Sequence, residues 1–256
     1  MSLESPGVLS HLTSWLTSCE LHLMRTLSCN LYAAIPRLTW ELIVCKFSTS
    51  ESIRHLSTVF PNVWCLRVQD ALLDEMPTPN LLVSWLDKYW KLRELMLTRV
   101  TCISVFNVHL LAEELTKVAI RECYQLEQVL VDPTDLPSLH QLDLSSCAQL
   151  VRVHVTSKVL ENLDLSCNDN LQYLVLDLER VVDLDLSFLK SLTYLCIRSS
   201  SLRRLNLRGY NHLTPNTMSI NCPNLQFVVV QGTSILVEDL NKTEFSDKMF
   251  LLPDTA

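Results

Sequence analysis

Residues Leu160–Ser201 read LENLDLSCNDNLQYLVLDLER followed by VVDLDLSFLKSLTYLCIRSSS. Written as two lines of 21 residues, the apolar positions superpose. Leu160, Leu163 and Leu165 stand over Val181, Leu184 and Leu186. Leu171, Leu174 and Leu176 stand over Leu192, Leu195 and Ile197. Each line holds the pattern L-x-x-L-x-L twice. Alternation of the L-x-L kind makes a short strand with one face buried. A helix needs about ten residues of its own, and these lines leave no room for one.

The period runs on in both directions. Leu139, Leu160, Val181 and Leu202 begin four successive lines, and LTKVAIRECYQLEQVLV (Leu115–Val131) fits the same scheme. The segment DPTDLPS absorbs three extra residues between that copy and the next. A fixed period of this length marks a solenoid. Three copies meet L-x-x-L-x-L-x-x-N/C-x-L in full: Leu115-Val118-Ile120-Cys123-Leu126, Leu139-Leu142-Leu144-Cys147-Leu150 and Leu160-Leu163-Leu165-Asn168-Leu171. Weaker copies lie at Leu225-Val228-Val230, Leu92-Leu95-Leu97, Val63-Leu66-Val68, Leu42-Val44 and Leu21-Leu23. These motifs resemble those of leucine-rich-repeat proteins.

The expected fold is α/β: a leucine-rich-repeat solenoid with a parallel concave β-sheet. Its strands stack at about 4.8 Å. The Asn/Cys position turns the chain off each strand, because Asn can hydrogen-bond backbone of neighbouring coils and Cys fills the same narrow slot. Short strands are expected on the convex side in the centre, and helical returns near the ends. Those helices are expected over Ser50–Phe60, Asn80–Tyr89, Val105–Leu115 and Thr214–Ile220, with another starting at Ser5-Pro6. The whole chain, 1–256, reads as one domain. Residues 1–110 are irregular helix-containing repeats, 111–212 are regular repeats of 21–24 residues, and 213–256 hold a last repeat with a cap and tail.

LTPNTMSINCPNLQFVVVQGTSI (Leu213–Ile235) is similar to the cysteine-containing repeat of F-box/leucine-rich-repeat proteins, in which C-P-x-L leads into the next strand. FPNVWCLRV (Phe60–Val68) echoes it. In that family the F-box recruits a ubiquitin ligase and the repeats bind the substrate. The resemblance therefore implies a substrate-recognition repeat region with ubiquitin-ligase subunits as partners. No L-P-x-E-[IL]-L signature of an F-box occurs, and the first 35 residues already read as repeat. A free-standing repeat scaffold or inhibitor remains the alternative.

Composition narrows the partners. The formal charge is −7, so no global basic field attracts nucleic acid. Between Asp132 and Lys190 stand ten carboxylates and four Lys/Arg, an excess that points to a basic partner surface. Ten scattered cysteines without C-x-x-C fit small core fillers in a reducing compartment, cytoplasmic or nuclear. No secretory leader or bilayer-spanning run is read, so no membrane partner is expected. The sequon Asn241-Lys242-Thr243 stands alone.

The residues between the motif leucines line the concave face. Asp143, Asp164 and Asp185 fall in one column, with Asp183 beside them and Arg204, Asn206 and Arg208 one coil on. Stacked like charges repel, and a basic partner relieves them. The same Asp is also a common solvated filler of this repeat. A flat ladder lacks the convergent oxygens of a calcium site and the water-excluding pocket of a glycosidase. Arg203, Arg204 and Arg208 form a basic cluster suited to pairing with neighbouring Asp or to an acidic peptide. On the convex side Gln128, Arg152, Tyr173 and Tyr194 share one outward column, and Leu130, His154, Val175 and Cys196 the next. That face is apolar enough for a partner or a covering loop. No nucleophile motif, phosphate loop or H-E-x-x-H occurs. The sequence is thus expected to encode a binding module with no catalytic residues, metal or cofactor.

Overall fold

The computed structural model describes residues 41–45, 60, 62–70, 91–101, 103–107, 113–187, 189–210, 213–214, 216–233 and 250–252. Their strands are all paired in parallel and lie on two faces. The front face begins with β1 (Glu41–Cys45), β2 (Cys65–Gln69), β3 (Glu94–Thr98), β5 (Lys117–Arg121), β7 (Gln141–Asp143) and β9 (Asn162–Asp164). It continues in a second sheet of β11 (Asp183–Asp185), β13 (Arg204–Asn206), β15 (Phe227–Val229) and β16 (Phe250–Leu252). The back face is one sheet: β4 (Val105–Asn107), β6 (Gln128–Val131), β8 (Arg152–Ser157), β10 (Tyr173–Leu178), β12 (Tyr194–Arg198) and β14 (Met218–Asn221). Six coils, from β3–β4 to β13–β14, carry a strand on both faces. The chain is a parallel-strand solenoid of about six turns, a form compatible with a leucine-rich-type repeat.

The registers follow the sequence period. Leu142 pairs with Leu163, Leu174 with Leu195, and Leu205 with Val228. Inward columns from both faces meet in one continuous core, in which Leu142, Leu174, Leu195 and Leu205 are buried. Each such side chain contributes roughly 1.5–3 kcal/mol. The core is therefore linear, and each coil depends on its two neighbours.

A second column ties the coils together through the Asn/Cys slot. Cys123 Sγ donates to Leu97 C=O and Cys147 Sγ to Ile120 C=O. Asn168 Nδ2 donates to Leu144 C=O at 2.9 Å, and its Oδ1 accepts from Cys147 N–H at 2.9 Å. Tyr210 Oη donates to Leu186 C=O. Each slot residue thus reaches back to the third leucine position of the preceding coil. Among the described coils two break the rule: Val100 and Leu189 occupy their slots, and neither side chain has anything to donate.

The turns off β2, β3, β5, β7, β9, β13 and β15 each use a left-handed residue. Asp70, Arg99, Glu122, Ser146 and Cys167 have φ of 52–61°, and Gly209 and Gly232 have 87° and 68°. The aspartates expected as solvated fillers or partner contacts set up this turn. Asp143, Asp164, Asp185 and Asn206 each accept the N–H two residues on, at 2.8–3.1 Å. That is an Asx turn, the local bond that Asp and Asn favour.

Two helical expectations are corrected. Val105–Asn107 is a strand, because buried Phe106 stands in the inward column with Val129 of β6. Met218–Asn221 is also a strand. Its burial alternates, Met218 and Ile220 inward and Ser219 and Asn221 outward, and it completes the ladder beside β12. Period two won over helical spacing because an open sheet edge offered backbone partners. Among the described residues no helix occurs. The expected helices starting at Ser5, over Asn80–Tyr89 and, apart from Phe60, over Ser50–Phe60 lie outside the described residues, as does the tail beyond 252.

Candidate functional site

The outward residues of the front strands line a groove of about 1190 Å³ running from Lys117 to Val229. Its walls are built by register. Lys117, Gln141 and Asn162 form one outward column and Ala119, Asp143 and Asp164 the next. Beyond them Asp183, Arg204 and Phe227 form one register column, and Asp185, Asn206 and Val229 the next.

The expected three-aspartate ladder is only partly formed. Asp143 and Asp164 are register partners, but no strand pairing joins β9 to β11, so Asp185 belongs to a different sheet. At every neighbouring front joint the backbone is bonded outside the strands too. Glu161 and Asn162 donate to His140 C=O, and Arg203 and Arg204 to Val182 C=O. Leu144 donates to Asp164 C=O, Leu186 to Asn206 C=O and Ser146 to Ser166 C=O. The counterparts between β9 and β11 are missing among the described residues. Val182 and Asp183 do not donate to Glu161 C=O, Leu165 does not donate to Asp185 C=O, and Cys167 does not donate to Ser187 C=O. The same two coils stay fully paired on the back, where β10 and β12 share five register pairs and Thr193 and Tyr194 donate to Gln172 C=O.

The interruption opens the core. Leu163 is only partly buried, whereas its column mates Leu142 and Leu184 are buried. Leu163, Leu165, Leu186 and Leu189 all line the groove. A second depression of about 530 Å³, lined by Glu161, Arg180, Val182 and Asp183, marks the other end of the same joint. Short strands and a slot without a donor coincide here: β9 and β11 are three residues long, whereas β2 and β3, five residues long, pair fully with Val100 in the slot. Asn168 and Tyr210 clamp their own coils to the coils before them, but Leu189 offers no such clamp onto the coil of Asn168. The signal in the sequence is Leu189 in the Asn/Cys slot, and periodicity alone does not single it out from Val100, whose joint is paired.

Charges in the groove are unevenly matched. Arg121 Nε lies 2.6 Å from Asp143 Oδ2. Arg204 grips Asp183 with two bonds, at 2.5 and 2.8 Å. Intramolecular pairing therefore absorbs Arg204, as the sequence allowed. Arg208 sits at the turn, its N–H on Asn206 Oδ1. Asp164 and Asp185 form no salt bridge among the described residues. Burial raises the Asp143 carboxyl, but hydrogen bonds from Arg121 and Ser145 outweigh it and hold the group below its ordinary value. Asp185 is lowered likewise, with burial outweighed by bonds from Ser187 and Asn206. Both are carboxylates at neutral pH.

On the back, the expected column is present: Gln128, Arg152, Tyr173 and Tyr194 are register partners, as are Leu130, His154, Val175 and Cys196. The tyrosine rings are 6.4 Å apart, tilted by 36°, and the Arg152 guanidinium lies 5.7 Å over the Tyr173 ring. Tyr173 is 43% and Tyr194 40% exposed. This face is stacked on itself, which lowers its need for a partner.

Burial pushes the Cys123 and Cys222 thiols up to about 12 and Cys147 up to about 11, so they are neutral packing groups. No cluster of three or more metal-ligating side chains is present among the described residues. Among the described residues no helix is long and apolar enough to cross a membrane. No protein-family model and no curated protein sequence matches the chain.

Proposed function

We propose that this chain is a protein-interaction module whose front groove holds a partner with a basic surface. One observation carries the reading. Asp164 and Asp185 face an open groove without a salt bridge, while Asp143 and Asp183 beside them are each matched by an arginine. Two carboxylates without a salt bridge, Asp164 feeling Arg121 only through space, favour in this concave, partly apolar site a cationic side chain over water. A solenoid suits this role because its stacked strands present one extended surface. The role is binding rather than catalysis, without cofactor, nucleic acid or membrane.

The finer reading is a substrate receptor within a ubiquitin ligase, in the cytoplasm or nucleus. What supports it is the resemblance of Leu213–Ile235, in which Cys222 is buried and Leu225 N–H bonds back to Cys222 C=O at the turn into the next strand. A free-standing scaffold uses the same groove without the ligase.

Proximity labelling in cells, followed by affinity measurement on the recovered partner, tests both levels. Changing Asp143, Asp164 and Asp185 together to Asn is expected to weaken the partner by at least tenfold. Asn keeps the Asx turns, so folding survives. Unaltered affinity excludes the front groove, and loss on changing Tyr173 and Tyr194 to Ala assigns the back face instead. Binding of the purified chain to a ligase adaptor subunit supports the receptor reading, and its absence leaves the scaffold.

A further inference from the structure

The joint between β9 and β11 is more than a wall of the groove. Two parallel strands face each other there with their backbone groups unbonded, on coils that remain bonded behind. Open strand edges are sites for adding a strand from another chain. We propose that this joint takes an extended segment of a partner protein as an inserted parallel strand, bearing basic residues alternating with apolar ones. The proposal deepens the binding role above and rests on the front groove being the binding face.

The geometry specifies the segment. An inserted strand meets the missing bonds of Leu165 and Cys167 N–H and Glu161 C=O on one side. On the other it meets Val182 and Asp183 N–H and the carbonyls of Asp185 and Ser187. Its outward residues fall in the columns of Asn162–Asp183 and Asp164–Asp185, about 5 Å from each neighbour. A Lys or Arg there lies between the two unmatched carboxylates. Its alternate residues point inward to Leu163, the partly exposed member of the buried leucine column, and towards Leu184. In the bound state β9 and β11 stand two strand spacings apart, about 10 Å, and the β10–β12 ladder is the hinge.

The test uses the full chain and two acetylated heptapeptides, one alternating Lys and Val and one alternating Glu and Val. Amide hydrogen exchange is read at Leu165, Cys167, Val182 and Asp183. In the free chain these amides exchange freely, while Tyr194 N–H on the back is protected. The Lys/Val peptide is expected to slow them at least tenfold and the Glu/Val peptide to leave them unchanged. Asp164→Asn with Asp185→Asn is expected to weaken the Lys/Val peptide roughly tenfold. Leu189→Asn, which restores the slot donor, is expected to slow the same amides without peptide and to abolish peptide binding. Protection already present in the free chain overturns the proposal. If dilution removes it, a second copy of the chain is the occupant. Lys/Val binding that leaves the four amides unchanged, or no binding at millimolar peptide, overturns the inserted strand. A cellular partner that still needs the aspartates would then show that the wider binding role survives it.

Discussion

The coils beginning at Leu160 and Val181 meet twice, and the two meetings differ. On the back, β10 and β12 are bonded along five residues, and Leu174 and Leu195 pack at full burial. On the front, β9 and β11 share no bond, and Leu163 is partly uncovered. The same 21-residue repeat produced both, so strand-forming pattern alone does not join coils. The back ladder is long, five or six residues per strand, and supplies many bonds. On the front, β9 and β11 are three residues long and depend on the slot residue to lock them, unlike the five-residue β2 and β3, which pair fully with Val100 in that slot. Where that residue is Leu189, the lock is missing. Val182, Asp183 and Cys167 at the break are exposed, which lets water reach their backbone groups.

Core truncation separates the two faces most sharply. Leu174→Ala is expected to lower unfolding free energy by about 3 kcal/mol, and Leu163→Ala by about 1 kcal/mol, in urea titrations. Equal losses would mean that the front is as well packed as the back. Next comes the lock itself. Asn168→Ala leaves Cys147 N–H and two carbonyls unpaired in a buried site. It is expected to cost about 2–3 kcal/mol and to extend fast amide exchange to Ser146 and Leu144. Tyr210→Phe removes one bond, to Leu186 C=O, and is expected to cost about 1 kcal/mol.

Smaller effects mark the surface. Asp143 has a folded pKa below its ordinary 3.8. Its stabilisation is complete above that value and fades as pH falls through the lowered one. Asp143→Asn is therefore expected to flatten the acid limb of a stability–pH curve and to leave the limb above pH 5 unchanged in slope. Smallest in energy but sharpest in reading is thiol labelling. Cys167 is exposed at the open joint, while Cys123, Cys147 and Cys222 are buried. A maleimide is expected to modify Cys167 in the native chain and spare the other three. A Cys167 as slow as Cys147 would mean the joint is closed.

Much of this was legible in order along the chain. The period of Leu139, Leu160, Val181 and Leu202 yields the parallel registers directly, since outside the β9–β11 joint each residue pairs with the one a repeat later. The tyrosine column followed from the same arithmetic. Met218 and Ile220 were misread because a short apolar segment fits helix and strand alike, and the neighbour that decides between them, β12, is remote from it in local pattern. The aspartates were seen, but their turn-capping bonds were not, because L-D-L-S shows spacing and not the backbone conformation at Ser145 or Ser166.

By itself the sequence determined the repeat length, the two strand columns, the buried leucines and the acidic character of the front. Those depend on periodicity and side-chain chemistry, which are local. Only the tertiary structure decided that the front divides between Asp164 and Asp185 while the back stays whole. Whether two strands bond depends on distances set by every contact between their coils, and here one missing slot donor weighs against a long ladder on the other side.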